Sequence, residues 1–225
     1  MKNITPIIIS CLLLGATHSH SQTVRLGQYE LEAVSVSLAQ ERVKGKNTVK
    51  AVKDSVVKAV DEPTFIKVIG TDFKNGIIEV KVLSRLLKNA PEFARGFIGI
   101  AFRINDSNTK YESIYVRPTN ARAEDQVRRN HTIQYYAYPD YKFDRLRKEA
   151  PERYESYTDM TLNQWITMRI EVKDTQAKLF INKHQQPSLV VNDLKHGAAH
   201  SGAIGLWVDI GTEGYFTDLK IIKQD

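Results

Sequence analysis

Cysteine is nearly absent. Cys11 is the one cysteine in 225 residues, which excludes an internal disulfide and any zinc site built on paired thiolates. Long apolar runs are missing too: none reaches the roughly 20 residues that cross a bilayer as a helix, so no membrane span is expected. The sequence has no P-loop, no dinucleotide fingerprint and no nucleophile elbow, which removes the common nucleotide-dependent and serine-hydrolase chemistries. Its histidines do not suggest a metal. His184 stands alone, and although His196 and His200 are four apart, they flank Gly197-Ala198-Ala199 in a turn-like stretch. No metal triad is therefore expected. A structural calcium on Asp218 and backbone carbonyls is the one cofactor left open.

The composition that remains is ordinary for a globular protein, with 42% hydrophobic and 26% charged residues and a formal net charge of +6. Met1–Ser21 reads as an export leader: Lys2 first, an apolar stretch from Ile7 to Ala16, then small and polar residues. The expected mature start is Gln22, with residues 22–225 as a single domain in the periplasm or outside the cell. Ile8-Ile9-Ser10 before Cys11 loosely matches a lipidation site. A cut there would strand Leu12–Leu14 on the wrong side, so anchoring at Cys11 is the lesser reading.

Period-two alternation dominates the rest. Trp165–Val172 sets Ile166, Met168, Ile170 and Val172 against Thr167, Arg169 and Glu171, and Gly76–Val82 repeats the pattern after an Asn75-Gly76 turn signal. Similar strands are expected over Val34–Leu38, Thr48–Val52, Thr64–Ile69, Gly96–Ile104, Tyr111–Arg117, His131–Ala137, Ala177–Asn182, Ser188–Val191, Ala203–Asp209 and Tyr215–Ile222. Roughly a dozen short strands parted by turns predict an all-β sandwich. Lys50–Val60 fits helix and strand spacing equally. Pro118–Asn130 and Tyr138–Thr161 are polar connections long enough to suggest function or local structure.

Two strands carry an unusual second face. Opposite Ile98, Ile100, Phe102 and Ile104 stand Phe97, Gly99, Ala101 and Arg103; opposite Ile204, Leu206 and Val208 stand Ala203, Gly205, Trp207 and Asp209. Tyr115, Arg117, Gln134 and Tyr136 alternate in the same sense. Small residues lower the floor of a sheet, aromatic rings offer flat apolar faces to a sugar, and arginine offers rigid donors. The competing reading is a second core beneath the long loops, with Trp207 packed inside it.

Further residues carry a family resemblance. Gly70–Phe73 with Asn75–Val80, Ala94–Arg103, Arg117–Gln134, Tyr154–Tyr157, Gln186–Lys195 and Gly202–Phe216 together resemble the concanavalin A-like lectin/glucanase superfamily, near the bacterial 3-keto-disaccharide hydrolase and laminin G-like domain proteins. The resemblance implies a jelly-roll β-sandwich of two antiparallel sheets that recognises a carbohydrate. Glycoside hydrolysis is one implied activity; a non-catalytic module binding a glycan or protein is the alternative. The Glu-x-Asp-x-Glu strand of family 16 glucanases is absent.

The densest polar cluster runs from Arg117 to His131. It reads either as a recognition loop, with Glu124 or Asp125 as acid/base and His131 as partner, or as a self-neutralised ion-pair network. Glu155 beside Tyr154 is a further acid candidate. Arg103, Tyr115, Arg117, Arg128, Arg129, Gln134, Tyr136 and Trp207 are the expected binding residues. Arginine and tyrosine interleave beyond Tyr135, a composition that also suits single-stranded nucleic acid, but in an exported sandwich a glycan is the better partner. Arg117–Ala150 holds eight basic against five acidic residues, so an acidic polysaccharide is favoured over a neutral one.

Overall fold

The computed structural model describes residues 24–224; the leader reading of Met1–Ser21, Cys11 and the Gln22 start falls outside the described residues. In chain order the elements are β1 (Arg25–Leu26), β2 (Tyr29–Val34), β3 (Val36–Val43), β4 (Lys46–Lys53), β5 (Phe65–Phe73), β6 (Asn75–Leu86), β7 (Ile98–Ile104) and β8 (Tyr111–Val116). There follow α1 (Gln126–Asn130), β9 (Ile133–Tyr138), α2 (Phe143–Glu149), β10 (Glu155–Ser156), β11 (Ile166–Lys173), β12 (Gln176–Ile181), β13 (Leu189–Val191), β14 (Gly202–Val208) and β15 (Thr212–Gln224). One antiparallel sheet has eight strands in the order β1-β2-β5-β14-β7-β8-β9-β10. The other has seven, in the order β13-β12-β11-β6-β15-β4-β3. The molecule is the expected all-β jelly-roll sandwich.

Some boundaries differ from the alternation pattern, each for a local reason. The strand expected over Val34–Leu38 is two strands in different sheets, because Ser35 adopts φ 51 and turns the chain across the sandwich. The ambiguous Lys50–Val60 stretch is strand only to Lys53; Asp54 then accepts the Val56 N–H at 3.0 Å and starts a turn. Both long connections carry a short helix, and the second also supplies edge strand β10.

Between the sheets lies the main core. A side chain at Gly214 of β15 would stand 2.4 Å from Val208 Cγ1 and 3.2 Å from Ile98 Cδ1, so these two point at the opposing sheet. By alternation Gly99, Ala101, Gly205 and Trp207 face the other way. That outer face is not open. Trp207, Tyr111, Tyr115, Tyr136 and Phe65 are fully buried, with Trp207 4.8 Å from Tyr115 and 5.6 Å from Tyr136, ring centre to ring centre. The small residues make room for these rings: a Cβ on Gly99 would lie 2.5 Å from Tyr115 Cβ, and one on Gly205 2.9 Å from Phe65 Cγ. Of the two expected uses of this face, a second core is the one observed. Its cover is the stretch before β5 together with α2, pinned where Trp207 Nε1 donates to the Glu62 carbonyl at 2.9 Å.

Replacing Trp207 with alanine is expected to cost about 3–5 kcal/mol, the usual loss for a large aromatic removed from a packed interior. Urea unfolding checks this; a loss under about 1 kcal/mol would be the behaviour of an open-face residue instead.

Candidate functional site

Where the cover stops, a cleft of about 490 Å³ opens at one end of the eight-stranded sheet. Phe97 and Tyr115 form part of its floor, Asp125, Val127 and Arg128 of the α1 region one wall, and Phe143 and Arg147 of α2 the other. Val60, Asp61, Phe93, Arg95, Arg117, Asn120, His131 and Asp209 complete it. Phe93 and Val127 are exposed at the rim, an apolar lip around a charged interior.

The charges divide into paired and unpaired groups. Glu155 is buried and accepts from Arg147 Nε at 3.0 Å and from Arg117 Nη1 at 3.3 Å, with His131 Nε2 3.4 Å away. Arg117 also donates to the Tyr115 hydroxyl at 2.7 Å and to Gln134 Oε1 at 3.3 Å. Asp209 is equally committed: Lys53 Nζ reaches Oδ1 at 2.5 Å, and the Asp61 N–H reaches Oδ2 at 2.9 Å. Arg95 and Arg128 differ. Arg128 donates to Asn120 Oδ1 at 3.0 Å and Thr119 Oγ1 at 3.4 Å, and Arg95 to the carbonyls of Glu92 and Ala94. Neither meets a carboxylate among the described residues. Burial, and then repulsion from Arg128, lower the Arg95 pKa.

Asp61 is the other exceptional group. It is buried, adopts φ 53, and accepts the Phe143 N–H on Oδ2 at 2.9 Å. Burial, and then the neighbouring Asp209 carboxylate, push its pKa up to about 7. His131 moves the opposite way: burial lowers its pKa, outweighing the attraction of Glu155.

The residues expected from the sequence are only partly gathered here. Tyr115, Arg117, Arg128, Asp125 and His131 line the cleft. Asp125 spends Oδ1 on the Arg128 N–H at 2.8 Å as the cap of α1, and Glu124 is exposed outside the cleft. Arg129 turns away to Tyr157, with its guanidinium carbon 5.3 Å from the ring centre. Gln134, Tyr136 and Trp207 are sealed beneath the cover and offer no surface to a ligand.

Arg103 is a correction of direction. Between Ile104↔Ala203 and Ala101↔Gly205, β7 carries one residue more than β14, and Arg103 takes φ 55 in this bulge. It leaves the face of Gly99 and Ala101 and donates to the carbonyls of Lys74, Asp174 and Gly197 and to Asn75 Oδ1. Asp218, the calcium candidate, sits in a comparable bulge of β15, clamped at 2.9 Å by Lys46 and 2.7 Å by Lys81. These two lysines hold its pKa down at about 2. Among the described residues no cluster of three histidine, cysteine or acidic side chains could hold a metal ion.

Asp61, Arg95, Phe97, Phe143 and Arg147 are among the cleft residues that the sequence pattern does not mark as a site. Arg95 was visible only as part of the Ala94–Arg103 resemblance, and Asp61, which follows the ambiguous Lys50–Val60 stretch, carried no signal of its own.

No family model and no curated protein matches the chain. Solved structures do. A carbohydrate-binding module from Bacillus subtilis superposes with a TM-score of 0.54 at 10% identity, covering 84% of this chain and 92% of that one. A candidate glycosyl hydrolase from Parabacteroides distasonis gives 0.52 at 12% identity, covering 86% and 99%, and a second from that organism gives 0.51 at 11%, covering 87% and 88%. At such identities the likeness is one of fold, and it agrees with the lectin-like sandwich without reaching the narrower family.

Glu155→Gln leaves Arg117 half-paired in a buried setting and weakens both bonds from Arg147. A loss of about 3–5 kcal/mol in chemical unfolding is expected. A neutral result would mean that solvent, not Glu155, balances these arginines.

Proposed function

We propose that this chain is a carbohydrate-recognising sandwich whose cleft takes an anionic sugar residue. Arg95 and Arg128 bind the acidic group, and the ring rests against Phe93, Phe97 and the Val127 lip. The observation that carries this reading is the state of those two arginines. Both stand in one cleft without a carboxylate partner among the described residues, and burial, followed by repulsion from Arg128, lowers the pKa of Arg95. Bringing two guanidinium groups together is unfavourable unless something negative joins them, and an arginine fork is well matched to a carboxylate or sulfate. The aromatic lining suits the apolar face of a sugar ring.

Binding without bond cleavage is the better-supported form. Glu155 is held by Arg117 and Arg147, and Asp125 is occupied as a helix cap, so neither has the freedom of a proton-transferring acid. The solved structures similar in fold include a carbohydrate-binding module, which favours the same class of ligand. The leader-like Met1–Ser21 favours a ligand met outside the cytoplasm.

Titration calorimetry with tri-galacturonate, a sulfated disaccharide and neutral galactose oligomers tests this. An anionic sugar is expected to bind and the neutral one to bind at least tenfold more weakly, with affinity falling as salt rises. Arg95→Ala and Arg128→Ala are each expected to reduce affinity about 10- to 100-fold, the loss of a charged hydrogen bond. Equal binding of the neutral sugar, or an unaffected double variant, would overturn the reading. Product release with Glu155 and Asp125 intact would restore a hydrolytic role.

A further inference from the structure

Asp61 is unaccounted for by a purely cationic site. A carboxylate lining the same cleft as two anion-binding arginines would oppose the ligand they attract, unless it is held in the uncharged form. Its surroundings favour that form. Asp61 is buried, and Asp209, paired with Lys53, lies beside it. Oδ2 is tied to the Phe143 N–H, Oδ1 meets no donor among the described residues, and Asp61 is one of the residues lining the cleft. One oxygen is therefore anchored and the other left without a protein donor.

We propose that Asp61 meets the ligand as a neutral carboxylic acid, donating a hydrogen bond from Oδ1 to the acidic group gripped by Arg95 and Arg128. The cleft thus takes up an anion together with a proton. This rests on the anionic-sugar reading and adds the rule by which the site is regulated. A bound anion raises the proton affinity of Asp61 further, and by reciprocity protonated Asp61 raises the affinity for the anion.

The other charged groups around Asp61 do not blur this rule near neutrality. The basic groups around Asp61 are Arg117 at the end of β8, and Lys142 and Arg147 around the start of α2, and the hydrogen bond to Glu155 raises the Arg147 pKa. Glu62 is tied to Lys142 and the Tyr138 hydroxyl. Tyr111, Tyr115 and Tyr136 have pKa values driven well above the phenol range by burial, so they stay protonated. His131, whose pKa is lowered, is already neutral. Between roughly pH 6.5 and 8.5 the group that changes charge is Asp61, titrating near 7 before ligand is added.

The test is tri-galacturonate binding by the purified chain across that range, with the sugar carboxylates ionised throughout. Affinity is expected to fall as pH rises, approaching tenfold per unit at its steepest. Calorimetry in buffers of different ionisation enthalpy is expected to show proton uptake on binding near pH 7.5. Asp61→Asn is expected to lose the pH dependence, since an amide offers a donor at every pH. Its stability relative to wild type is a second readout. A raised acid pKa stabilises the native state below the unfolded value near 3.8, and that contribution disappears as pH climbs through about 7. Wild type is therefore expected to lose stability relative to the variant across this window.

Binding that is flat with pH and takes up no proton would overturn the role of Asp61 while leaving the anionic-sugar reading intact. So would an Asn variant that keeps the wild-type slope. Failure of every anionic sugar to bind at any pH would remove both.

Discussion

The indole N–H of Trp207 donates to the carbonyl of Glu62, and much of the molecule depends on that bond. Strands β7, β8 and β9 of the eight-stranded sheet are buried on both faces, so their outer face needs a lid as much as their inner face needs the opposing sheet. Pinning Glu62 above Trp207 brings the stretch before β5 down onto Tyr115 and Tyr136. The same placement sets Asp61, one residue earlier, against Asp209 and the start of α2. The cleft is thus the margin of a packed layer, and its most unusual acid is positioned by the packing.

What the sequence reveals follows from the range of each interaction. Alternation is local, so Ile166–Val172 and Ile98–Phe102 disclose strands and faces directly. A bulge is also local, but nothing in the alternation marks it. One extra residue at Arg103 carries that side chain off the face its parity assigns, and the left-handed Ser35 divides an apparently continuous strand. The cleft is the least legible feature because it is non-local. Asp61, Arg95, Arg117, Arg128, Arg147 and Asp209 come from separate segments, and only the folded topology brings them together. Glycines at 99 and 205 illustrate the same limit. Small residues on a sheet face announce that something large lies above them, and here it is Tyr115 and Phe65 from the same sheet.

Charge near the cleft is sorted by burial. Deep groups are matched, Lys53 with Asp209 and Glu155 with Arg117 and Arg147, because an unmatched charge there would cost several kcal/mol. Arg95 and Arg128 are only half-buried, so solvent bears part of the cost of leaving them unpaired. A site that must exchange ligand can keep its uncompensated charge at this intermediate depth. Deeper, the charge would destabilise the fold; shallower, it would be screened by salt and discriminate poorly.

This arrangement separates stability from recognition within a single face of one sheet. The sealed half, Trp207 with Tyr111 and Tyr136, supplies packing and has no route to a ligand. The open half takes its polar contacts mostly from segments outside the strands, whose substitution leaves the inter-sheet core untouched. Asp61 belongs to both halves: its backbone N–H secures Asp209, and its Oδ2 secures the first turn of α2. Its Oδ1 is the atom proposed to meet the ligand. The proton on that carboxyl is therefore a point at which folding and binding share one free energy, and a change in either must appear in the other.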